Sequence, residues 1–320
     1  MKAAFYTTNG GPEVLRYGDV PDPQLRDGQV LVKVHAVSLE GGDLINRRNT
    51  PPRSDFHVVG YQAAGTVERI GPDVTGIAPG DRVCGFSWSG SHAELFAVRQ
   101  DLVFPIPDGV DFATASTVPV TFGTACEALF ECGMLAAGQT VLIQGAAGGV
   151  GLAAVQLAKG AGATVLGTAS DRRRLQRLEE FGLDHGIDYS TKDVGKRALQ
   201  LTDGKGVDLV VDLAGGRGLA QLLQAVRYRG RLAIVGAASG EEQSLGFIDI
   251  VSKGLTVCGC LFGREMHTPR AREIVSRMYD DIAAGRLRMP IDRVYPLAEA
   301  ALAHSHAETG HPFGRIGLTP

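Results

Sequence analysis

The chain is poor in the features that announce a metal lobe, a secreted scaffold or a membrane protein. It has five cysteines in 320 residues, Cys84, Cys126, Cys132, Cys258 and Cys260. Their spacings are those of neither a disulfide framework nor a four-cysteine zinc lobe, and Cys258-x-Cys260 is too short for the usual structural pair and sits in what reads as buried strand. The eight histidines are scattered, without HExxH or similar spacing. No run of about 18 apolar residues occurs, so no membrane span is expected. The opening MKAAFYTTNG lacks the apolar stretch of a signal peptide, and the expectation is a cytoplasmic protein with reduced thiols. A net charge of −3 and a pI near 6.2 give no electrostatic reason to expect nucleic acid as a partner.

What the chain has is length and glycine. At 320 residues it exceeds one ordinary core and suits two domains. Hydrophobic content of 44% and charge of 21% fit a globular protein, and 43 glycines imply many tight turns and close backbone approaches.

The first third reads as β-rich. Val30, Val32 and Val34 alternate with Leu31, Lys33 and His35, the period of a strand with two different faces. Further strands are predicted at 63–70, 82–86 and 93–98, and the Pro-rich stretch 104–109 reads as the edge of a domain. Strands then alternate with helices: strands at 141–144, 164–168, 207–213 and 231–235, helices near 150–159, 175–181 and 219–226. That alternation predicts a parallel, doubly wound sheet. A helix over 270–284 and short segments after it read as folding back onto the first domain. The predicted division is therefore 1–114 with 259–320 for the β-rich domain and 115–258 for the doubly wound one.

Directly after the strand at 141–144 comes Gly145-Ala146-Ala147-Gly148-Gly149-Val150-Gly151, opening a helix. Gly148 lets backbone approach a pyrophosphate, Gly151 lets the helix lie tightly on the strand, and the helix N-terminus offers free N–H groups and a positive dipole end. The other reading is a glycine-rich turn with packing duties only. The next strand ends Gly167-Thr168-Ala169-Ser170, without the acidic residue that usually holds an NAD ribose; Asp171 comes slightly late, and Arg172, Arg173 and Arg174 follow. Either the arginines are a solvated helix face, or they face an anion. Three cations in a first helical turn oppose the dipole by about 0.3–1 kcal/mol each, a penalty that a 2′-phosphate reverses. This favours NADPH over NADH.

The segment GQTVLIQGAAGGVGLAAVQLAK, residues 138–159, resembles the signature of the zinc-independent quinone oxidoreductase (zeta-crystallin-like) family within the medium-chain dehydrogenases/reductases. The similarity extends through GPEVL at 11–15, GDRV at 80–83, VDLVVDLAGG at 207–216, GRLAIVGAASG at 230–240 and GCLFGR at 259–264, nearly the whole chain. It implies an α/β fold with a Rossmann sheet plus a β-rich GroES-like catalytic domain. It also implies NADPH as cofactor, and hydride transfer without metal to a small electron-poor carbonyl substrate, a quinone or an α,β-unsaturated carbonyl. Family members commonly dimerise by extending the cofactor-domain sheet, and 255–258 is the candidate edge strand of a homodimer. Two other readings stay open: a ketone, aldehyde or enoyl-thioester reductase, and an NADPH-binding sensor or structural protein with little turnover.

Medium-chain alcohol dehydrogenases hold a catalytic zinc with a G-H-E-x-x-G segment. Here that segment is Gly60-Tyr61-Gln62-Ala63-Ala64-Gly65, with Tyr61 in the place of the His ligand and Ser38 in that of the first Cys, so no metal is expected. The resemblance implies that the active-site loop begins at 37–43. Many relatives have Asn at the position of Glu40 and Tyr at that of Ile45; Asp43 and Arg47 match the family.

Glu40 and Tyr61 are the candidate catalytic residues. Glu40 reads either as a proton donor, if burial raises its pKa, or as a loop carboxylate paired with Arg47 or Arg48. Ile45, Phe86, Trp88 and Phe262 are the candidate substrate contacts, with core packing the alternative for Phe86 and Trp88. The resemblance assigns the cofactor to Thr124, to Ala147, Gly148, Gly149 and Val150, to Ser170, Arg174 and Tyr189, to Ala237 and Ser239, to Leu261 and Phe262, and to Arg315. Thr124 reads equally as a helix-entry hydroxyl.

Overall fold

The computed structural model describes residues 1–237, 239–241 and 244–320, and the counts below refer to these residues. The chain divides into two compact units, Met1–Gly123 with Gly263–Pro320, and Thr124–Phe262. The stretch 115–123 belongs with unit 1, because Tyr279 Oη donates to the Ala115 carbonyl at 3.0 Å and Gln62 Oε1 accepts from Val120 N at 3.1 Å. Among the described residues no helix is long and apolar enough to cross a membrane.

Unit 1 is built around the strand Gln29–Ser38. It pairs with Gln62–Ile70 and Leu95–Arg99, and its end pairs with Arg315–Thr319. The strand departs from the alternation read in the sequence, because its first half is covered on both faces. Leu31 is buried along with Val30 and Val32, and only Lys33 and His35 reach solvent. The strands Arg82–Phe86 and Val103–Pro105 continue the sheet on one side, Ile291–Pro296 on the other. The last part of the chain thus returns to the sheet that the first part begins. Its helix Pro269–Ala283 starts at Thr268, whose hydroxyl accepts from Ala271 N, with Pro269 at the first helical position.

A second buried network ties the helix Gly41–Asn49 to this returning segment. Arg47, wholly buried, donates to Gly10 O, to Glu308 Oε1 at 2.5 Å and to His304 Nδ1 at 3.0 Å. A guanidinium can only donate, so His304 Nδ1 accepts and its proton sits on Nε2. That N–H faces His92 Nε2 at 3.3 Å, which leaves the His92 proton on Nδ1, directed at Ser91 Oγ at 3.3 Å. The chain of bonds runs one way, and both rings must be neutral for it to exist.

Unit 2 is a six-stranded parallel sheet. Its strands are, in chain order, Thr140–Gln144, Thr164–Ala169, His185–Asp188, Val207–Asp212, Val226–Ile234 and Thr256–Gly259. Their spatial order is 3-2-1-4-5-6, the doubly wound arrangement, with its reversal between the first and fourth strands. Val141, Leu142 and Ile143 are all fully buried, as a central parallel strand covered on both faces requires. Thr256–Gly259 corrects the sequence reading of a buried strand around Cys258. As the last strand of the sheet it has a neighbour on one side only, so Thr256 and Gly259 are exposed and Cys258 is half-buried, while Cys260 beyond it is buried. All five thiols are free.

Burial holds the pKa of His92 down to about 3 and that of His304 well below 6.5, the latter helped by His92 and the Arg47 charge. The unfolded chain therefore binds more protons than the fold below about pH 6.5, and stability falls as pH falls through that window, by up to about 1.4 kcal/mol per pH unit for each ring. Denaturant unfolding at a series of pH values between 7 and 4 is expected to reveal this slope, and His304→Gln to reduce it by about one proton.

Candidate active site

Candidate site residues occur in both units, and each set is described within its own unit. In unit 2 the glycine loop follows the first strand at the sheet's reversal. Thr168 pins its start, since Gly145 N donates to Thr168 Oγ1 at 3.1 Å and Ala146 N to Thr168 O at 3.0 Å. Gly145 has φ +72°, which favours glycine. The helix Gly149–Gly160 then begins at Gly148. A Cβ on Gly151 would lie 2.3 Å from Gly145 O, so any side chain there would lift the helix off the strand; a Cβ on Gly148 would meet nothing nearer than Gly145 O at 3.5 Å. One glycine is closed for packing and the other is open, as a loop that receives a diphosphate needs. Ala147 and Gly149 are buried and Val150 is half-buried, at a helix start whose first amides have no intrahelical acceptor.

The strand beside it ends at Ala169, level with Asp188 of its own neighbour, so Ser170 and Tyr189 follow adjacent strand ends. Arg174 Nη1 donates to Ser170 Oγ at 3.3 Å, and Tyr189 is exposed. Asp171 caps the helix Arg172–Glu179 by accepting from Arg174 N at 3.0 Å. Asp171 is therefore engaged by its own helix, Asp188 accepts from Ser190 N and Oγ at 2.9 and 2.6 Å, and the side chains left around Ser170 fit a phosphate better than a ribose diol. Thr124, expected at a helix start, lies inside a longer helical run: Gly123–Cys126 is flanked by π-helical stretches Val118–Phe122 and Glu127–Cys132. Ala237 and Ser239 are exposed beyond the fifth strand, while Ala238 lies outside the described residues. Leu261 is exposed, but Phe262, a candidate contact for both cofactor and substrate, is buried.

In unit 1, Glu40 is buried and sits at the N-terminus of the helix Gly41–Asn49. Its Oε1 accepts from Arg315 Nη2 at 2.6 Å, Gln62 Nε2 at 2.8 Å and Ser38 Oγ at 2.9 Å, with Thr121 Oγ1 at 3.4 Å. Arg315 also donates to Ser38 Oγ and to the Leu39 carbonyl. Three expectations change here. Glu40 does pair with an arginine, but with Arg315; Arg47 and Arg48 lie further along the helix and both reach Glu308 instead. Arg315 itself, offered as a cofactor contact, is buried within unit 1 and committed to this cluster. And Glu40, surrounded by donors, is placed to accept hydrogen bonds and not to deliver a proton.

Tyr61 lies beside this cluster. Burial raises its pKa above the ordinary phenol value, reinforced by the charges of Asp43 and Glu40, while Asn46 hydrogen-bonds its side chain. Asp43 is wholly buried; its Oδ2 accepts from Glu40 N at 2.8 Å and its Oδ1 has no partner. Burial pushes that carboxyl well above the usual range, with the Glu40 charge adding to the effect. Ile45 is exposed on the same helix, Trp88 is exposed, and Phe86 is buried behind Trp88 and Tyr61. Among the described residues no group of three or more His, Cys, Asp or Glu is arranged to hold a metal ion.

A GroES-like unit with an inserted doubly wound sheet is the architecture of the medium-chain dehydrogenases/reductases. The family model for the alcohol dehydrogenase GroES-like domain matches residues 26–108, and that for zinc-binding dehydrogenases matches residues 149–278. The chain is 33% identical to the quinone oxidoreductase of Pseudomonas aeruginosa, over 100% of this chain and 99% of that one. It is 30% identical to the 2-haloacrylate reductase of a Burkholderia species, again over 100% and 99%. A mycobacterial protein solved in complex with NADPH superimposes with a TM-score of 0.95 at 31% identity, covering all of both chains. The chain belongs to the medium-chain dehydrogenase/reductase superfamily, among its quinone-oxidoreductase-like enzymes, and it is an oxidoreductase.

Sequence reasoning named Glu40 and Arg315 separately and passed over Gln62 and Thr121. A signal was present: Gln62 is an amide where the zinc enzymes' G-H-E-x-x-G has Glu, and Glu40 is an acid where many relatives have Asn, so an acid and an amide stand at two positions that the fold brings together. Since Arg315 and Gln62 bond the same Glu40 oxygen, moving the carboxylate from position 40 to position 62 shifts the charge by one hydrogen bond. Glu40→Gln alone leaves a buried guanidinium without its anion and is expected to cost roughly 3–5 kcal/mol. Glu40→Gln with Gln62→Glu is expected to regain most of that in thermal or denaturant unfolding; a double variant no more stable than Glu40→Gln would refute the exchange.

Proposed function

We propose that the enzyme uses NADPH to reduce a quinone or another activated α,β-unsaturated carbonyl, without a metal ion. The observation that carries this reading is the donor set of unit 1. Positions 38 and 61 offer a hydroxyl and a phenol where a zinc enzyme has thiolate and imidazole, and Glu40 is held by Arg315, Gln62 and Ser38. Such a site has hydrogen-bond donors but no strong Lewis acid, so it suits an acceptor that is already electron-poor. The 2-haloacrylate of the Burkholderia relative's name is an activated alkene, which supports the same class.

When bound, NADPH supplies a hydride from its reduced nicotinamide ring. Gly148 and the start of the helix Gly149–Gly160 hold its diphosphate, and Ser170, Arg174 and Tyr189 its 2′-phosphate. Tyr61 keeps its proton across the working pH range and donates a hydrogen bond to the acceptor oxygen as that oxygen gains charge; the proton that completes the reduction arrives through this phenol or from water. Asn46 orients the phenol, and the Glu40–Arg315 pair fixes the loop that presents it.

Purified protein is expected to oxidise NADPH with quinones and with α,β-unsaturated carbonyls, before and after dialysis against a chelator. Tyr61→Phe is expected to lower kcat by roughly ten- to a hundred-fold with little change in affinity for NADPH. Turnover confined to saturated ketones, or lost with the chelator, would overturn the reading. Arg174→Ala is expected to weaken NADPH by about ten-fold or more and NADH hardly at all, as one charge-assisted contact is removed. Equal losses for the two nucleotides would remove Arg174 from the phosphate site.

A further inference from the structure

Unit 1 holds three aromatic rings that meet at one corner. Tyr61 and Trp88 have centroids 5.6 Å apart at 83°, Phe86 and Trp88 5.3 Å apart at 74°, and Tyr61 and Phe86 6.0 Å apart at 73°. Every pair is edge-to-face, so the planes stand nearly perpendicular to one another like the walls of a box. Phe86 is 1% exposed and forms the back, whereas Trp88, the sole tryptophan of the chain, is 39% exposed.

Two glycines make room for these rings. A Cβ on Gly42 would lie 2.2 Å from Tyr61 Cε2, and one on Gly263 2.7 Å from Trp88 Cη2 and 3.0 Å from Phe86 Cζ. Neither glycine has a positive φ, so their backbones would accept other residues; the space for the rings is what excludes a side chain. Gly42 is moreover inside a helix, where glycine costs stability relative to alanine. A corner that serves packing alone would not need an indole left over a third exposed, held upright by two neighbours and seated on a glycine. The faces that the corner presents also share one sign: the indole and phenol rings carry the negative side of their quadrupoles. A flat ring stripped of electron density by its carbonyls has the opposite quadrupole and stacks face to face on such a surface.

We propose that the Tyr61–Phe86–Trp88 corner is a specificity element that selects flat, ring-type acceptors over open-chain activated alkenes, with the acceptor ring stacked on the open face of Trp88. The inference rests on the acceptor class proposed above and narrows it. Its agent is Trp88; Phe86 and Gly263 hold the indole in place.

The test compares a 1,4-naphthoquinone with methyl vinyl ketone, both as acceptors with NADPH. In Trp88→Ala the ratio of kcat/KM for the quinone to that for the enone is expected to fall about ten-fold, and in Trp88→Phe, which keeps a smaller ring, about two- to three-fold. An unchanged ratio, whether both activities drop or neither does, would give Trp88 a packing role and overturn the proposal. Because Trp88 is the sole tryptophan, its fluorescence reads binding without turnover. The naphthoquinone is expected to quench it saturably in the folded protein. Quenching that is linear, as in the urea-unfolded chain, would overturn the proposal even in an active enzyme. If neither compound oxidises NADPH, the acceptor class proposed above falls, while saturable quenching still upholds the ring-binding corner.

Discussion

The buried contact between Glu40 and Arg315 is the constraint on which unit 1 depends. The two residues come from opposite ends of the chain, with the whole of unit 2 between them, and neither charge is tolerable in the interior without the other. Their union draws in Ser38 from the central strand, Gln62 from its neighbour and Thr121 from the segment that leaves the unit. One carboxylate thus gathers groups from four separate stretches of sequence. The cost of burying it is offset because every one of its partners is a donor, and the reward is a loop whose conformation has few alternatives.

Much of unit 2 was legible before any coordinates. Its strands follow apolar runs bounded by glycine, its helices follow a 3.6 period, and the loop 145–151 sits where strand turns to helix, so local pattern and global topology agree. Unit 1 was less legible for a physical reason. Its site is assembled by long-range pairings, such as Arg315 with Ser38 and His304 with His92, that leave no periodic trace. A single arginine near residue 315 carries no mark of its partner. The sequence pointed Glu40 toward Arg47 and Arg48 because they are near along the chain, whereas the fold turns those two toward Glu308. What could have been read was the acid–amide pair at positions 40 and 62, because a buried charge must find its partners close by.

The two units also divide their electrostatics. Unit 2 has backbone amides and a cation beside the ends of its first strands, and the nearby carboxylates are taken up locally, Asp171 as a helix cap and Asp188 by Ser190. Unit 1 does the reverse, setting two buried carboxylates and the rings of Phe86 and Trp88 beside Tyr61. The first environment suits the phosphates of the proposed cofactor site. The second keeps a phenol protonated, which is what the proposed metal-free reduction asks of it.

The interrupted layout of unit 1 has a consequence for biosynthesis. A ribosome makes Glu40 early, then all of Thr124–Phe262, and only afterwards Arg315. During that interval the inserted sheet has its full complement of strands, while the opening segment still lacks two strands and the guanidinium that neutralises its interior. The part of the chain synthesised first is therefore the part that closes last, against the usual vectorial order of nascent domains.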